Sequence, residues 1–270
     1  MEIPVEIRGA FRARPLDADK KSVGTVAVAG GCGSFPHAPV VAALGARAAG
    51  AGLVRLVAPE LSLACAGALV PEATFTCRTP RCELPAADVL VVGMGLGAAP
   101  RDVAWAARAI SAPGRFVVDA DALRALGSAR PAQGRELVIT PHEGEAARLL
   151  GWTRGRVRAE RLAAVRELAA RYGATAVLKG PRTLVASSDG SRIYENATGG
   201  PLMALGGMGD LLAGVVGARW AYLKGDPFLA AASAVWLHGA ASDRVGAAGR
   251  DPSLANTAAA VGELRAALDR

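Results

Sequence analysis

The sequence predicts an α/β fold with a central, mostly parallel sheet and helices on both of its faces. Three observations carry that expectation. Short β-branched runs end in Gly, Asp or Thr-Pro and feed segments of helical Ala/Leu spacing, the rhythm of successive βαβ units. Hydrophobic residues make up 51% of the 270 residues and aromatics only 4%, so the core is built from Ala, Val and Leu in closely packed layers, unlike an aromatic-rich sandwich. No internal repeat, low-complexity tract or linker interrupts the pattern, and a single domain over residues 1–270 is expected.

The elements follow in order. "TVAVAGG", Thr25 to Gly31, is a short strand ending in glycines, "HAPVVAALGARAAGAG" a helix, and "LVRLVAP" the next strand. The same unit recurs with the strand "DVLVVGMGLG", Asp88 to Gly97, the helical "RDVAWAARAI" and the strand "RFVVDADAL", Arg115 to Leu123. "ELVITPHEGEAARLLG", Glu136 to Gly151, runs from strand into helix. "RAERLAAVRELAARYG", Arg158 to Gly173, reads as one amphipathic helix closed by its glycine, and "TAVLKG" as a buried strand. "TLVASSDGSRIYENA" is a hairpin turning at Asp189-Gly190. From Gly209 onward three helical segments follow: "DLLAGVVGARWAYLKG", "PFLAAASAVWLHGAASDRVG" and "SLANTAAAVGELRAAL".

A formal net charge of +7 raises the question of nucleic acid. The arginines are scattered, no basic run reaches five residues, and few aromatics are available to stack bases, so anionic small substrates such as nucleotides fit better. Cys32, Cys65, Cys77 and Cys82 show neither CxxC pairing nor zinc spacing and read as reduced thiols, with no metal held by protein ligands. The charged start "MEIPVEIRGAFRARPLDADKK" lacks an apolar h-region. Leu211 to Leu223 is too short to span a bilayer and contains Arg219, so a cytoplasmic protein is expected.

Ligands of open α/β sheets bind beyond the carboxyl ends of the strands. Gly30-Gly31, the glycines of "VGMGLG", Asp119 and Asp121, Thr140-Pro141-His142 and Lys179-Gly180 all fall there. The stretch "TGGPLMALGGMGDLLAGVVGARW", Thr198 to Trp220, adds Gly206, Gly207 and Gly209 at a helix N-terminus. Free backbone N–H groups and the positive end of the helix dipole favour an anion at such a place. Asp210, an acid among those donors, suits proton abstraction from a hydroxyl that attacks a phosphoryl group. The plainer reading is a helix cap.

Taken together, "VAVAGGCGSFPHAPVVAALGARAAGAGLVRLVAP", "VVGMGLG", "VVDADAL", "VITPHEGEAARLLG", "VLKGPRTLVASSDG" and "NATGGPLMALGGMGDLLAGVVG" resemble the nucleotide-dependent NAD(P)H-hydrate dehydratases, a branch of the ribokinase-like superfamily. The resemblance covers Val26 to about Asp243. It implies a ribokinase-like fold and a repair reaction in which ADP, or ATP in some members, phosphorylates the hydroxyl of (6S)-NADH or (6S)-NADPH hydrate. Loss of phosphate then restores the cofactor, with Mg2+ serving the nucleotide phosphates.

By the same resemblance Asp210 matches the catalytic acid, and Gly207 and Gly209 match the anion hole. Ala38, Gly97 and His142 match the hydrated-cofactor pocket. Lys179, Gly180, Pro181, Arg182 and Thr183 match the contact with the adenine nucleotide. Asp119 and Asp121 of "DADAL" look, by the same resemblance, like pocket or water-and-magnesium residues. Bland alternatives stand beside several of these: a cap for His142, a snorkelling side chain for Lys179, turn closure for Asp119 and Asp121, and simple first-turn acids for Glu143 and Glu145, although the family keeps an acid at Glu145. His238, in an apolar helix, reads as a satisfied packing residue.

The family pattern "NxTGNPGMATGGTGD" is here "NATGGPLMALGGMGD", with Gly200, Leu202, Leu205 and Met208 as departures. Met208 removes a hydroxyl beside the catalytic acid and leaves the backbone donors. Family members often carry a fused epimerase domain, which is expected here as a separate protein. The resemblance implies a homotetramer, while the late apolar helices fit a subunit interface or the monomer core equally. Two other functions share the residues: a small-alcohol kinase of the hydroxyethylthiazole kinase type, and a weakened nucleotide-binding protein.

Overall fold

The computed structural model describes residues 2–129 and 132–269. The chain opens with α1 (Val5–Arg8), β1 (Thr25–Ala29), α2 (Ala38–Ala48) and β2 (Leu53–Ala58). A 3-10 turn leads into α3 (Leu63–Leu69), then β3 (Thr74–Cys77), β4 (Val89–Val92), α4 (Pro100–Ala109) and β5 (Gly114–Val118). After the 3-10 segment Ala120–Ala125 come β6 (Arg135–Ile139), α5 (Glu143–Leu150), α6 (Arg154–Ala159), α7 (Arg161–Tyr172) and β7 (Thr175–Leu178). The remainder is β8 (Leu184–Ala186), β9 (Ile193–Glu195), α8 (Met208–Leu223), α9 (Pro227–Ala247) and α10 (Leu254–Leu268).

Among the described residues nine strands form one sheet in the order β3-β2-β1-β4-β5-β6-β7-β8-β9. Every pairing from β3 to β7 is parallel, and β8 and β9 add antiparallel. The mostly parallel sheet expected from the sequence is present. A strand covered on both faces need not alternate polar and apolar residues, and β1 shows why. Val26 and Val28 enter one core with α2, α8 and α9, whereas Ala27 and Ala29 enter the other, with Trp105 of α4 and Leu168 of α7. The period of two still decides which side chain meets which layer.

α8 lies inside the first core, with buried residues around its whole circumference. Arg219, on this helix, is fully buried, ion-paired to Asp269 at 3.2 Å, and donates to the Ala10 carbonyl at 2.5 Å. Among the described residues no helix is long and apolar enough to cross a membrane.

Two local expectations need correction. The helix expected over Arg158 to Gly173 is two helices, α6 and α7, separated at Glu160 (φ −118°, ψ 44°). Thr153 starts α6 early because its Oγ1 accepts the Arg156 amide at 3.1 Å. Around the break, Arg158 and Arg161 both reach Glu143, at 3.1 and 3.0 Å. The edge strand β3 and the helix α3 before it have no counterpart in the sequence expectation. β3 is only four residues long and partly exposed, so no apolar run advertises it.

Candidate functional site

Because β1, β4, β5, β6 and β7 run parallel, the segments that follow them emerge on one edge of the sheet. Main-chain bonds tie those segments together. The Gly31 amide donates to Met94 O at 2.9 Å, the Asp119 amide to Val92 O at 3.0 Å and the Lys179 amide to Pro141 O at 2.9 Å. The loop after β4 is pinned by Asp121, whose Oδ2 accepts the Gly97 amide at 2.9 Å.

The N-terminus of α8 arrives at the same edge. Gly207 precedes it with φ +90°, a conformation that L side chains rarely adopt and that lets the chain turn directly into the helix. No side chain caps α8, so its first amides keep the donor capacity that suits an anion. Asp210 is the third helical residue and makes no cap bond, which removes the simple capping account. Met208 is buried and belongs to the core, so the residue that stands in place of a hydroxyl residue there packs inward.

The carboxylate of Asp210 faces a compact charge cluster. Lys179 Nζ lies 2.6 Å from Asp119 Oδ1, and the Asp119 side chain is 1% exposed. The same ammonium lies 3.3 Å from where a Cβ on Gly209 would stand, which places it against the first turn of α8. Burial pushes the Asp210 carboxyl up to about 7; Asp119 adds to the rise, Lys179 opposes it, and Glu145 and Asp121 add further negative field. Burial alone would lower the Lys179 ammonium, but Asp119, Glu145 and Asp210 hold it above its ordinary value. The lysine stays charged. A carboxyl near 7 beside a fixed cation is matched to accepting a proton at neutral pH.

The other predicted residues take distinct places. His142 is the N-cap of α5: its Nδ1 accepts from the Gly144 and Glu145 amides at 3.0 and 3.3 Å, and the Glu145 carboxylate accepts the His142 amide at 2.8 Å. This capping box holds Glu145 toward Asp210 and Lys179 while the imidazole stays exposed. Ala38 opens α2 and abuts the Gly95 backbone near Phe35. Lys179 to Thr183 form a tight turn in which Thr183 Oγ1 donates to Gly180 O at 2.9 Å and Arg182, at φ +53°, pairs with Glu195. Pro181 sits at its exposed tip. Lys179 is thus drawn to the Asp119–Asp210 cluster, away from the turn that carries Gly180 to Thr183.

Asp119 and Asp121 divide the roles left open for them. Asp119 pairs with the Lys179 ammonium, and Asp121 accepts the Gly97 amide and so closes a turn. Glu143 is more than a first-turn acid: it gathers Arg154, Arg158 and Arg161, and Arg161 also donates to Leu178 O at 3.1 Å beneath Gly180. Sequence reasoning gave Arg161 no part. Its only signal was a helical position next to the start of α7, which says nothing of a partner across the sheet edge. His238 is buried as a packing residue, but the expectation that it is satisfied needs correction: its Nε2 has no partner among the described residues, and burial lowers its pKa to about 4. The four cysteines are free, and no cluster of three or more His, Cys, Asp or Glu forms a metal-binding set among the described residues.

Comparison with known proteins gives the family and the fold. The family model described as NAD(P)H-hydrate dehydratase matches residues 26–259. The ADP-dependent (S)-NAD(P)H-hydrate dehydratase of Neisseria meningitidis serogroup B is 40% identical over 242 residues, 86% of this chain and 81% of that protein. The bifunctional NAD(P)H-hydrate repair enzyme of Gloeobacter violaceus is 36% identical over 244 residues; the match takes in 86% of this chain but 47% of that protein, so the chain spans about half of this longer relative. The crystal structure of the ADP/ATP-dependent NAD(P)H-hydrate dehydratase from Bacillus subtilis, co-crystallised with ATP and Mg2+, superposes over 100% of both chains with a TM-score of 0.88 at 26% identity.

Proposed function

The chain belongs to the NAD(P)H-hydrate dehydratase family, and from that premise we propose that it returns (6S)-NADH and (6S)-NADPH hydrates to NADH and NADPH at the expense of ADP. The observation that carries the reading is Asp210: partly buried, raised to about 7, and set in the uncapped first turn of α8. Its carboxylate accepts the proton of the ring hydroxyl as that oxygen attacks the terminal phosphorus of ADP. The P–O bond to AMP breaks, and the amides around Gly207 and Gly209 stabilise the phosphoryl oxygens. The ring C–O bond of the phosphate ester then breaks with its electron pair leaving on phosphate. Loss of a proton from the adjacent ring carbon restores the double bond. Phosphate leaves where hydroxide would not.

Under this reading Ala38, Gly97 and His142 border the hydrated ring, and the turn from Gly180 to Thr183 borders the adenine nucleotide. Lys179 acts on the charge of Asp210 as well as on the phosphates. Asp119 and Asp121 are already engaged, by Lys179 and by the Gly97 amide. Magnesium would therefore be carried by the nucleotide's own phosphate oxygens. The single domain, a homotetramer and an epimerase supplied by a longer or separate protein belong to the same proposal.

The direct test follows NADH absorbance when purified protein is mixed with NADH hydrate, magnesium and ADP, with ATP and no-nucleotide controls. Recovery of NADH with stoichiometric orthophosphate is expected. A stable phosphate ester instead would make the protein a kinase.

Two further results separate roles within the site. Lys179 lowers the Asp210 pKa, so Lys179→Met is expected to move the acid limb of the pH–rate profile to higher pH, with activity partly regained in alkali. Lys179→Arg keeps the limb in place. Asn caps helices as well as Asp does, so His142→Asn is expected to preserve the melting temperature while raising KM for the hydrate several-fold. His142→Ala loses both, with about 1 kcal/mol of stability. Melting curves and initial rates on the same samples decide between pocket and cap.

A further inference from the structure

Parallel strands that carry a site across their ends must be held together there, and the sheet is least joined at one place. Between β6 and β7 the ladder pairs Val138 with Thr175 and Ile139 with Ala176 and goes no further among the described residues. The other parallel pairings are longer. This seam parts His142, the N-cap of α5, from the turn Gly180 to Thr183 that follows β7. The Lys179 amide bridges it once, to Pro141 O.

The side chain of Arg161 bridges it again. Arg161 opens α7 and donates from Nη1 to Glu143 Oε1 at 3.0 Å and from Nη2 to Leu178 O at 3.1 Å. Its guanidinium also lies against Gly180, where a Cβ would stand 3.0 Å from Nη1 and 3.3 Å from Nη2. Arg161 thus bonds the residue before Lys179 and supports the residue after it. A rigid planar fork makes both bonds from one position, which a compact ammonium does not. Glu143 accepts Arg158 on Oε2 and Arg161 on Oε1, and the Glu143 and Arg161 side chains are both largely buried. A pair so placed, with a main-chain bond beside it, is a firmer tie than an exposed ion pair. The turn it supports has a need for one: Arg182 stands at φ +53°, a conformation that persists when its surroundings hold it, and its own pairing with Glu195 is exposed.

We propose that Arg161, oriented by Glu143, is the positioning residue of the turn that borders the adenine nucleotide. The guanidinium fixes Gly180 before the nucleotide arrives, so that binding does not have to order the turn. The inference rests on the function proposed above. It adds that nucleotide affinity depends on an ion pair that touches neither ligand.

The test compares wild type with Arg161→Gln, Glu143→Gln and the double variant. Arg171→Gln is the control: Arg171, toward the other end of α7, likewise pairs with an acid, Glu167, at 2.9 Å and donates to Leu149 O and Leu150 O at 3.1 and 3.2 Å. ADP and NADPH are titrated by calorimetry, melting temperatures are recorded, and KM is measured for ADP and for NADPH hydrate. Arg161→Gln is expected to bind ADP about tenfold more weakly, the scale of one hydrogen bond to a charged group, and to raise KM for ADP by a similar factor. NADPH affinity and KM for the hydrate are retained. Glu143→Gln moves the ADP values in the same direction, and the double variant is no worse than Arg161→Gln, because both substitutions open one contact. Arg171→Gln changes the melting temperature and leaves ADP affinity in place.

Unchanged ADP affinity in Arg161→Gln, equal weakening of ADP and NADPH, or an equal loss of ADP affinity in Arg171→Gln overturns the proposal. So does a double variant whose effect is the sum of the two singles, since Glu143 would then not act through Arg161. If Arg161→Gln does not fold, Glu143→Gln decides, and unchanged ADP affinity there overturns the proposal. A wild type that binds ADP but dehydrates no hydrate refutes the repair reading alone, and the ADP comparison still decides the role of Arg161.

Discussion

Asp210→Asn is expected to lower turnover of NADH hydrate by about two to four orders of magnitude, the usual contribution of a positioned general base, while ADP binding is retained. Asn keeps the shape and cannot accept the proton. If Asp210 merely capped α8, Asn would serve as well and the rate would hardly change. Single-turnover measurement of NADH recovery, with nucleotide affinity determined separately, distinguishes the two.

The same substitution has a second readout whose sign is fixed by the raised pKa. The unfolded carboxyl titrates near its ordinary 3.8, the folded one at about 7. Between those values the folded state holds the proton that the unfolded state has lost, so the residue's contribution to stability falls as pH rises through that window and is constant above it. Asn carries no such penalty. Asp210→Asn is therefore expected to melt above wild type at pH 8 and to converge with it near pH 4. A carboxyl held in a desolvated, acid-rich setting costs stability.

Much of this architecture was legible in the sequence, and the reasons are physical. Strands buried on both faces are near-continuously apolar, and "VLVV" is wholly so while "TVAVA" and "TAVL" are after their first threonine. Their ends must carry the residues that meet a ligand, so Asp119, Lys179 and the glycines of "GGMGD" stood out before any geometry was known. Asp210 was visible because an acid in a greasy, glycine-rich segment needs a partner or a task. What stayed hidden depends on pairings across long sequence separations. The Lys179–Asp119 ion pair joins residues 60 apart, and neither position alone tells a phosphate contact from a charge set against Asp210.

The capping box at His142 was readable, since an acid three residues after a possible cap is its signature. That it also holds Glu145 toward Asp210 was not. A cavity lined by Arg78, Arg81, Arg101 and Arg108 illustrates the opposite limit. Arg101 and Arg108 share one face of α4 at a spacing of seven, but Arg78 and Arg81 come from a segment with no regular structure that no local spacing joins to them. Scattered basic residues gave only a preference for anionic small molecules, and the fold collects four of them around Trp105.

Gly214→Ala is expected to cost at least the one to three kcal/mol, roughly, of an overpacked core, and more than its own helix propensity would return. A Cβ there would be driven into the Ala42 carbonyl and stand 2.8 Å from the Ala46 amide nitrogen. From the other side, a Cβ on Gly45 would fall 3.0 Å from the Leu211 carbonyl carbon, with the carbonyl oxygen closer still. α2 and α8 thus cross in backbone contact, and no flexible side chain at the crossing can yield. Gly262→Ala on α10 is the matched control, because its nearest neighbour would be the Ala48 carbonyl oxygen at 3.6 Å, an ordinary contact. It should be neutral or stabilising by up to about 1 kcal/mol. Thermal melts of the two variants measure the difference. The consequence reaches the chemistry, since α2 begins at Ala38 and α8 presents Asp210. If the helices separate to admit the methyl group, the base shifts relative to the hydrated ring, and kcat should fall in Gly214→Ala even at temperatures where the variant is fully folded.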